Sequence, residues 1–207
     1  MRPLERSEAR DAALEAMLPH VPFEGWTGRT LRAAMTESGG SPDEATLLFP
    51  RGPAEMVEAW CDLADRQMAE GAAALDLPAL RVPDRVRALI ALRLTQVRPH
   101  KEAVRRALAL LSLPHNAPAA ARSLARTADA IWQAAGDTAT GFARHSKRAT
   151  LGAVYAATLL AWLRDSSEDD AATLAFLDRR LAEVAGIGRT RRRLRDLAGR
   201  FPSPRGA

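Results

Sequence analysis

The chain has 207 residues, of which 47% are hydrophobic, and a formal net charge of +5 at pH 7. This length suits one domain, or one domain with a small N-terminal subdomain, and the apolar content is enough for a sizeable core. The single cysteine excludes an intrachain disulfide, and no apolar segment approaches the roughly 20 residues that a membrane span needs. Acids begin at Glu5, which argues against a secretory signal or a transit peptide and leads us to expect a cytoplasmic protein.

Thirteen prolines divide the chain into segments of helical length, and abundant alanine and leucine favour helix over strand. The first helix should end near Leu18, and a second should run from Thr27 to about Ser38. The residues Ser41-Pro42-Asp43-Glu44 fit a capping box that opens a short third helix. Later helices are predicted at 53–75, 83–98, 101–113 and on either side of a break at 136–138, with a last one that ends at 186–188.

The second helix, the glycine turn at 39–40 and the short third helix form a helix-turn-helix outline. A helix that reads the DNA groove needs Arg, Lys, Asn or Gln, but the segment PDEATLLF contains Asp43 and Glu44 and no basic residue. The sequence therefore argues against DNA binding. We interpret residues 1–52 as a degenerate helix-turn-helix-like subdomain, with a working DNA reader as the alternative.

The last predicted helix follows Ser167, which can cap it, and carries an apolar seam at 3-4-3 spacing. The seam residues are Leu174, Leu177, Leu181 and Val184. A seam of this kind fits a partner helix, and an exposed one would be an aggregation liability. We therefore expect a homodimer whose interface is formed by the last two long helices of each chain.

The residues that usually carry catalysis or bind metals do not occur at useful spacing. The histidines His20, His100, His115 and His145 are never four residues apart, as a helical metal site requires. Neither a GxxxxGK phosphate loop nor a GxSxG elbow is present. We therefore expect no catalytic residue, no metal and no cofactor, and we expect Cys61 to be a buried small hydrophobe rather than a reactive thiol.

An ordered set of motifs is more specific than composition. LPHNAP at 113–118, in which Asn116 should cap the following helix, precedes Ile131-Trp132, AGD at 135–137, KRATL at 147–151 and YAAT at 155–158. LFPRGPAEMVE lies upstream of this set and WLRDSSEDDAATLAFLDRRL lies downstream. In this order and spacing, residues 10–187 resemble the COQ9 family of ubiquinone-biosynthesis accessory proteins.

The resemblance implies an all-α, TetR-like helical bundle in which residues 53–187 bind isoprenoid lipid and dimerise. It also implies a non-catalytic protein that assists a di-iron demethoxyubiquinone hydroxylase, and a bacterial member would be associated peripherally with the inner membrane.

Apolar residues on the predicted helices could line a lipid cavity or form the core, and the sequence does not separate the two. The candidates for the cavity are Ile90, Arg93, Leu94, Leu108, Leu111, Ile131, Trp132, Leu151, Tyr155, Leu159 and Trp162. Trp132 and Tyr155 are the stronger wall candidates, because each combines a large apolar face with one polar group. Arg93 projects from an apolar stripe, so it should either pair with an acid of a neighbouring helix or contact a lipid headgroup or a quinone oxygen.

Between AGD and KRATL the family pattern is close to STDFNWYT, whereas this chain reads TATGFARHS. The resemblance implies that this patch docks the hydroxylase. The patch residues are Asp137, Phe142, Arg144, His145, Lys147 and Arg148. Because Arg144 and His145 stand where the family has aromatic residues, we expect weaker docking that is steered by charge and sensitive to salt.

The basic character of the chain belongs to its C-terminal segment. Seven arginines against one aspartate give residues 188–207 a side-chain charge of +6, whereas the whole chain carries +5. The candidate membrane-binding residues are Arg191, Arg192, Arg193, Leu194, Arg195, Leu197, Arg200 and Phe201. Leu194, Leu197 and Phe201 fall on one helical face, and such a helix can lie on an anionic membrane surface. A disordered arginine tail is the alternative.

The sequence is compatible with two functions. The first is a lipid-binding accessory protein that takes an isoprenoid quinone intermediate from the membrane and presents it to a hydroxylase. The second is a ligand-sensing transcription regulator of TetR type, which would share the fold and the pocket but would need a helix that reads DNA.

Overall fold

A computed structural model describes residues 4–198 of the chain, except for the side chains of residues 142 and 187–198. Within this range the polypeptide is all-α, as predicted, and contains ten α-helices and no β-strand. The α-helices are α1 (Glu8–Met17), α2 (Val21–Glu24), α3 (Gly28–Glu37), α4 (Glu44–Leu48), α5 (Pro53–Gly71), α6 (Val82–Val97), α7 (Lys101–Leu111), α8 (Ala117–Ala134), α9 (Gly141–Arg164) and α10 (Ala171–Ala198). Short 3-10 helices lie at Ala72–Ala74, Leu77–Ala79, Arg98–His100, Pro114–Asn116 and Glu168–Asp170.

Most of the predicted helix boundaries are confirmed, because proline and glycine punctuate this chain. α3 ends at Glu37, just before the glycine turn, and α8 ends at Ala134, just before the predicted break. The short helix α2 lies where the sequence predicted only a connection. It places Pro22 in its first turn, where a proline gives up no helical hydrogen bond.

Two of the predicted N-terminal caps are wrong. The side chain of Asn116 donates from Nδ2 to the carbonyl oxygen of Leu110, at 2.9 Å, instead of accepting from the first turn of α8. The capping box at 41–44 does not form, since the residue before α4 is Asp43, whose side chain makes no capping bond. Both residues have a helical backbone at the cap position, and a capping side chain requires an extended one.

The cap of α10 is confirmed, but Asp165 contributes more to it than the predicted Ser167. The Oγ atom of Ser167 accepts from the backbone N–H of Ala172 at 3.1 Å. The carboxylate of Asp165 accepts from the backbone N–H groups and the hydroxyls of both Ser167 and Thr173. Hydrogen bonds from Ser167 and then from Thr173 hold the pKa of the Asp165 carboxyl below its ordinary value.

The core is arranged around α5, which packs against α1, α6 and α8. Trp60 of α5 contacts Trp26 from the N-terminal region, with ring centroids 5.1 Å apart. The indole Nε1 of Trp26 donates to the carbonyl oxygen of Ala103 in α7 at 3.0 Å. One cluster of buried apolar side chains therefore includes residues of both predicted subdomains, and the division at residue 52 stays a prediction.

Arg10 joins α1 to the end of α4 and to α5. Its side chain is 2% exposed and donates to the carbonyl oxygen of Leu48 at 2.6 Å and to Glu55 Oε1 at 3.0 Å. Its guanidinium group also lies 4.4 Å from the centre of the Phe49 ring. A buried cation with these partners stabilises one position of the short helix α4 against α5.

The predicted end of the last helix is wrong, because α10 continues through the glycines at 186 and 188 to Ala198. The apolar seam of this helix, which was predicted to contact a second copy of the chain, packs largely within the chain itself. Leu177 is fully buried, and Leu181 and Val184 pack against the same core. α10 makes its main contacts with α9 and α6 of its own chain, so the seam is satisfied within the monomer.

Candidate functional site

A cavity of about 340 Å³ lies between α5, α6, α7, α8 and α9. Its walls are mostly carbon, and five of the eleven predicted cavity residues line it: Arg93, Leu108, Leu111, Tyr155 and Leu159. Leu160, which is 56% exposed, and the exposed Ser112 place its mouth at the edge between α7 and α9. This is an apolar, partly enclosed site at the low end of the roughly 300–1,000 Å³ range of small-molecule pockets.

The inner end of this cavity carries a buried polar cluster. Arg93 donates from Nε to Asp65 Oδ1 at 3.1 Å, and both side chains are nearly inaccessible to solvent. Thr127 of α8 donates its hydroxyl to the same carboxylate at 2.9 Å. Burial raises the pKa of the Asp65 carboxyl, and the charge of Arg93 opposes this rise. The predicted pairing of Arg93 with an acid of a neighbouring helix is confirmed, so its charge is already compensated inside the protein.

Two further groups at the inner end are uncharged at neutral pH. Burial raises the pKa of the Cys61 thiol to about 11 and that of the Tyr155 hydroxyl to about 12. The predicted low reactivity of the Cys61 thiol is supported by this pKa, whereas its side chain is only partly buried and lines the cavity. Ser123 Oγ is buried against Cys61 and has no regular hydrogen bond in the described part of the chain, since the thiol is only a weak partner.

The remaining predicted cavity residues lie elsewhere. Ile90, Leu94, Ile131 and Trp162 are buried core residues that line none of the larger cavities formed by the described residues. Trp132 and Leu151 line a second cavity, under α10. The eleven candidates therefore do not form one site, because helical periodicity marks an inward face without showing whether that face meets protein or empty space.

Sequence reasoning missed the face of α8 that lines the 340 Å³ cavity. That face consists of Ala120, Ser123, Leu124 and Thr127. These four residues have the i, i+3, i+4 and i+7 spacing of one helical face, which can be read from the sequence. It was not recognised because two of the four residues are hydroxyl-bearing and one is alanine.

The proposed partner patch follows the C-terminus of α8, whose position depends on Gly136. With φ of +79°, this glycine allows the backbone N–H of Asp137 to donate to the carbonyl oxygen of Trp132 at 3.0 Å. Asp137 is thereby placed beside the first turns of α9, where Lys147 Nζ lies 2.6 Å from its Oδ1 atom. Arg148 lies 3.7 Å from the other carboxylate oxygen.

The cations of this patch are paired within the chain. Arg144 and Arg148 both donate to Asp129 of α8, the former at 3.2 Å. Three cations therefore meet two acids, Asp129 and Asp137, so little net charge remains to steer a partner. His145 is exposed on the same surface, whereas the side chain of Phe142 lies outside the described part of the structure.

The surface that would read DNA carries no basic side chain on α4. This helix has five residues, EATLL, and Leu47 on it is 78% exposed. The predicted membrane-binding residues fall mainly outside the description. The backbone is helical as far as Ala198, whereas the side chains of Arg191, Arg192, Arg193, Leu194, Arg195 and Leu197, and all of Arg200 and Phe201, lie outside the described atoms.

The geometry can be compared with known proteins. The sequence model of the family described as COQ9 matches residues 117–188. The chain is 30% identical over 189 residues to the human protein named "Ubiquinone biosynthesis protein COQ9, mitochondrial", covering 88% of this chain and 59% of that one. It is 31% identical over 182 residues to the protein of the same name from Drosophila melanogaster, covering 86% and 56%. The predicted resemblance to the COQ9 family is confirmed.

The chain spans less than two thirds of the length of these relatives. Among solved structures it is similar to a TetR transcriptional regulator from Nitrosomonas europaea ATCC 19718, with a TM-score of 0.69 and 25% identity. The match covers 86% of this chain and 99% of that regulator, which confirms the predicted TetR-like fold. No helix within residues 4–198 has the length and apolar character needed to cross a bilayer.

Proposed function

We propose that this protein acts in ubiquinone biosynthesis as a non-catalytic accessory that holds the isoprenoid part of a quinone intermediate in the cavity between α5 and α9. The proposal rests on that cavity, whose one charged lining residue, Arg93, is paired with Asp65 and whose walls are otherwise mostly carbon. The pathway is inferred from the COQ9 relatives, which are named as ubiquinone biosynthesis proteins. A cavity of about 340 Å³ accommodates part of a polyprenyl chain and leaves the rest outside the mouth beside Leu160.

Burial of the chain in this cavity supplies the driving force. Each buried methylene contributes about 0.8 kcal/mol, so a few isoprene units offset much of the cost of leaving a bilayer. Because Arg93 and Asp65 compensate each other, an apolar chain can pass them without leaving a charge unpaired. The ring of the intermediate would then remain near the mouth, where an enzyme can reach it.

The partner in this proposal is a hydroxylase that docks on the patch formed by Asp137, Arg144, His145, Lys147 and Arg148. Since Asp129 and Asp137 neutralise most of these cations, charge steering is weaker than the sequence alone predicts. We expect docking to depend on shape and on the exposed His145, and to change little between low and high salt. A pull-down with the di-iron hydroxylase at two salt concentrations tests this expectation.

The cavity itself is tested by filling it. Ala156 of α9 lines the cavity, whereas Ala153 on the same helix is exposed. Native mass spectrometry of protein purified from its own cells should detect an isoprenoid ligand on the wild type and on Ala153→Phe. Ala156→Phe should lose that ligand. Retention of the ligand by Ala156→Phe, or a wild type that never carries an isoprenoid lipid, would contradict the proposal.

The alternative of a ligand-sensing regulator is favoured by one observation, the TetR-like fold. It predicts DNA binding through α3 and α4, but α4 carries an acid and an exposed leucine instead of basic side chains. A gel shift at low salt, where even non-specific DNA binding is strong, distinguishes the two functions. A shift that disappears when residues 1–52 are altered would favour the regulator.

A further inference from the structure

A further cleft, of about 790 Å³, lies between α5 and α8 and is bordered by the connection between α5 and α6. One face of α5 and one face of α8 form its walls, with lining residues at 62, 65, 66 and 69 and at 126, 129, 130, 133 and 134. The cleft shares no lining residue with the cavity between α5 and α9. It is therefore a separate site, within the roughly 300–1,000 Å³ range of small-molecule pockets.

Every acid that lines this cleft already binds a cation of the protein. Asp62 binds Arg6 at 2.7 Å and Arg66 at 3.3 Å. Asp65 and Asp129 are paired with arginines of α6 and α9, at 3.1 Å and 3.2 Å. The carboxylates in the walls therefore do not compensate any further arginine of the cleft.

Arg85 of α6, which lines the same cleft, has no acidic partner. Its Nε atom donates to the carbonyl oxygen of Leu80 at 2.8 Å, and its Nη atoms donate to those of Pro78 and Ala135, both at 3.2 Å. It forms no ion pair with a carboxylate of the described residues. The carbonyl oxygens hold the guanidinium group in one position, but their partial charges compensate its positive charge only in part. These bonds use three of its five N–H groups and leave two for a ligand.

The carbonyl groups that hold Arg85 place it beside an apolar end of the cleft. Pro78 and Ala135 line the cleft, and so do Leu77 and Ala134 beside them. Arg85 itself is half-buried. A cation next to carbon walls attracts an anion more strongly than a cation surrounded by water, because the local dielectric constant is lower.

The other end of the cleft adds to the positive charge. Arg126 lines that end and binds Glu58 at 3.3 Å, but Glu58 also binds Arg122, so one carboxylate serves two cations. Arg126 precedes Ala135 by nine residues, which is about 13 Å along α8 at a rise of 1.5 Å per residue. Both ends of the cleft therefore favour an anion, and the end at Arg85 offers it the apolar walls.

We propose that the cleft between α5 and α8 binds a small organic anion, a carboxylate or a phosphate monoester, whose charged group is held by Arg85. Charge-assisted bonds from a guanidinium group suit either anion. The apolar body of the ligand would lie against the connection between α5 and α6 and the alanine face of α8, where burial contributes about 25 cal/mol per Å² of apolar surface. This inference does not depend on which lipid occupies the cavity between α5 and α9.

Four matched probes separate the two parts of such a ligand. Benzoate and phenyl phosphate carry an anionic group on a ring, benzamide carries the ring without the charge, and acetate carries the charge without the ring. A ligand-observed NMR titration should show binding of benzoate or phenyl phosphate, and binding of benzamide and acetate that is at least about tenfold weaker, because each lacks one of the two contacts. The tighter of the two ring-bearing anions identifies the class of ligand. Binding of neither anion, or equal affinity for the anions and benzamide, would overturn the proposal.

Arg85→Gln tests the assigned cation. This variant should lose the preference for the anions over benzamide and keep the weak binding of benzamide, whereas a damaged fold would weaken the binding of both. Arg81→Gln removes the same charge four residues earlier, at an exposed position paired with Asp84, and should keep the preference. A preference that survives in Arg85→Gln, or that is lost in Arg126→Gln instead, contradicts the assignment of the anion to Arg85.

Filling the cleft tests its location. Ala73 and Ala74 are both exposed and belong to the same short 3-10 helix, but Ala73 lines the cleft and Ala74 does not. Ala73→Trp should weaken the binding of benzoate, whereas Ala74→Trp should leave it unchanged. Equal binding by these two variants would place benzoate elsewhere.

The cavity between α5 and α9 supplies the last comparison. Ala156→Phe, which fills that cavity, should bind benzoate as the wild type does, and Ala73→Trp should still carry the copurified isoprenoid. The proposed function and this inference can therefore fail separately. Loss of benzoate binding in Ala156→Phe would place the anion in the cavity between α5 and α9 and overturn the inference.

Discussion

At the scale of single residues, the buried charges of this protein are compensated in pairs and clusters. Arg93 and Asp65 illustrate this, because both are about 5% exposed and each is the main partner of the other. A buried pair adds little stability over a well-packed apolar pair, but removing one partner leaves a charge with no compensation. The cavity wall therefore depends on both residues being present.

This dependence predicts the behaviour of the two single variants and of the double variant. Asp65→Asn should lower the free energy of unfolding by about 3–5 kcal/mol, because Arg93 is left as an unpaired buried cation. The double variant, Asp65→Asn with Arg93→Met, should recover most of the lost free energy of unfolding. Urea unfolding measures both changes. Asp84→Asn, which breaks an exposed pair with Arg81, is the control and should cost at most about 1 kcal/mol. Additive losses in the double variant would contradict the argument.

Glu55 predicts a dependence of stability on pH. Burial raises the pKa of its carboxyl, but hydrogen bonds from Arg51 and Arg10 outweigh this and bring the pKa below the ordinary value of 4.5. Because the unfolded chain then binds a proton more readily, this contribution is fully present above about pH 4.5 and is lost as the pH falls further. Urea unfolding between pH 7 and pH 3 should show a steeper loss for the wild type than for Glu55→Gln.

The control for this prediction is Glu44→Gln, at an exposed position of α4. At pH 7, Glu55→Gln should cost about 1.5–3 kcal/mol, as expected for a hydrogen bond to a charged group, and Glu44→Gln should cost little. Parallel pH profiles for the wild type and Glu55→Gln would show that Glu55 does not titrate in this way.

The sequence predicted the pairing of Arg93 but not its partner. A charge in the middle of an apolar stripe must be compensated when it is buried, so the class of partner follows from physical chemistry. Asp65 lies 28 residues earlier in the chain, and only the packing of α5 against α6 brings the two together. Arg10 was not singled out, since a single arginine in α1 resembles an exposed residue until α4 folds over it.

At the scale of helices, α10 shows the limit of periodicity. Its 3-4-3 seam was correctly recognised as a contact surface, but the partner is the chain's own α6 and α9 rather than a second copy. Sequence patterns show that a face is buried and do not show against what. The homodimer stays a prediction, without an exposed leucine seam on α10 to support it.

A substitution of Leu177 therefore tests the packing of α10 within the chain and not the oligomeric state. Leu177 is fully buried, so Leu177→Ala should lower the free energy of unfolding by about 2–5 kcal/mol through the cavity that it leaves. The matched control is Leu160→Ala, at an exposed position, which should stay within about 0.5 kcal/mol of the wild type. Urea unfolding measures both. A Leu177→Ala variant that is as stable as the wild type but changes its mass in light scattering would restore the intermolecular interpretation.

At the scale of the whole molecule, the all-α class was predictable from residue patterns and the TetR-like arrangement from the family resemblance, whereas the positions of the cavities were not predictable. Proline, glycine and apolar periodicity mark most of the helix boundaries, although α10 continues through the glycines at 186 and 188. The volume left between helices depends on how closely they approach, which differs between Ile131 in the core and Leu108 at a cavity wall. Both residues look alike in the sequence.

The prediction that the C-terminal segment binds an anionic membrane also concerns the whole molecule, because it depends on the distribution of charge over the chain. Residues 188–207 carry +6 in side-chain charge against +5 for the whole protein, so the remainder is close to neutral. Each arginine near an anionic surface contributes about 1 kcal/mol, which is enough for several together to determine binding. The continuous backbone of α10 as far as Ala198 supports a helix over a disordered tail.

Liposome flotation with and without residues 189–207 tests this prediction. Truncation should abolish binding to anionic vesicles, and Leu197→Asp should reduce it by disturbing the apolar face of the helix. Leu197→Arg is the informative counterpart, since it disturbs the same face while raising the positive charge. If only charge matters, Leu197→Arg should bind more strongly than the wild type, whereas a helix that inserts its leucines should bind more weakly. Binding that survives the truncation would show that the C-terminal segment is not the membrane-binding element.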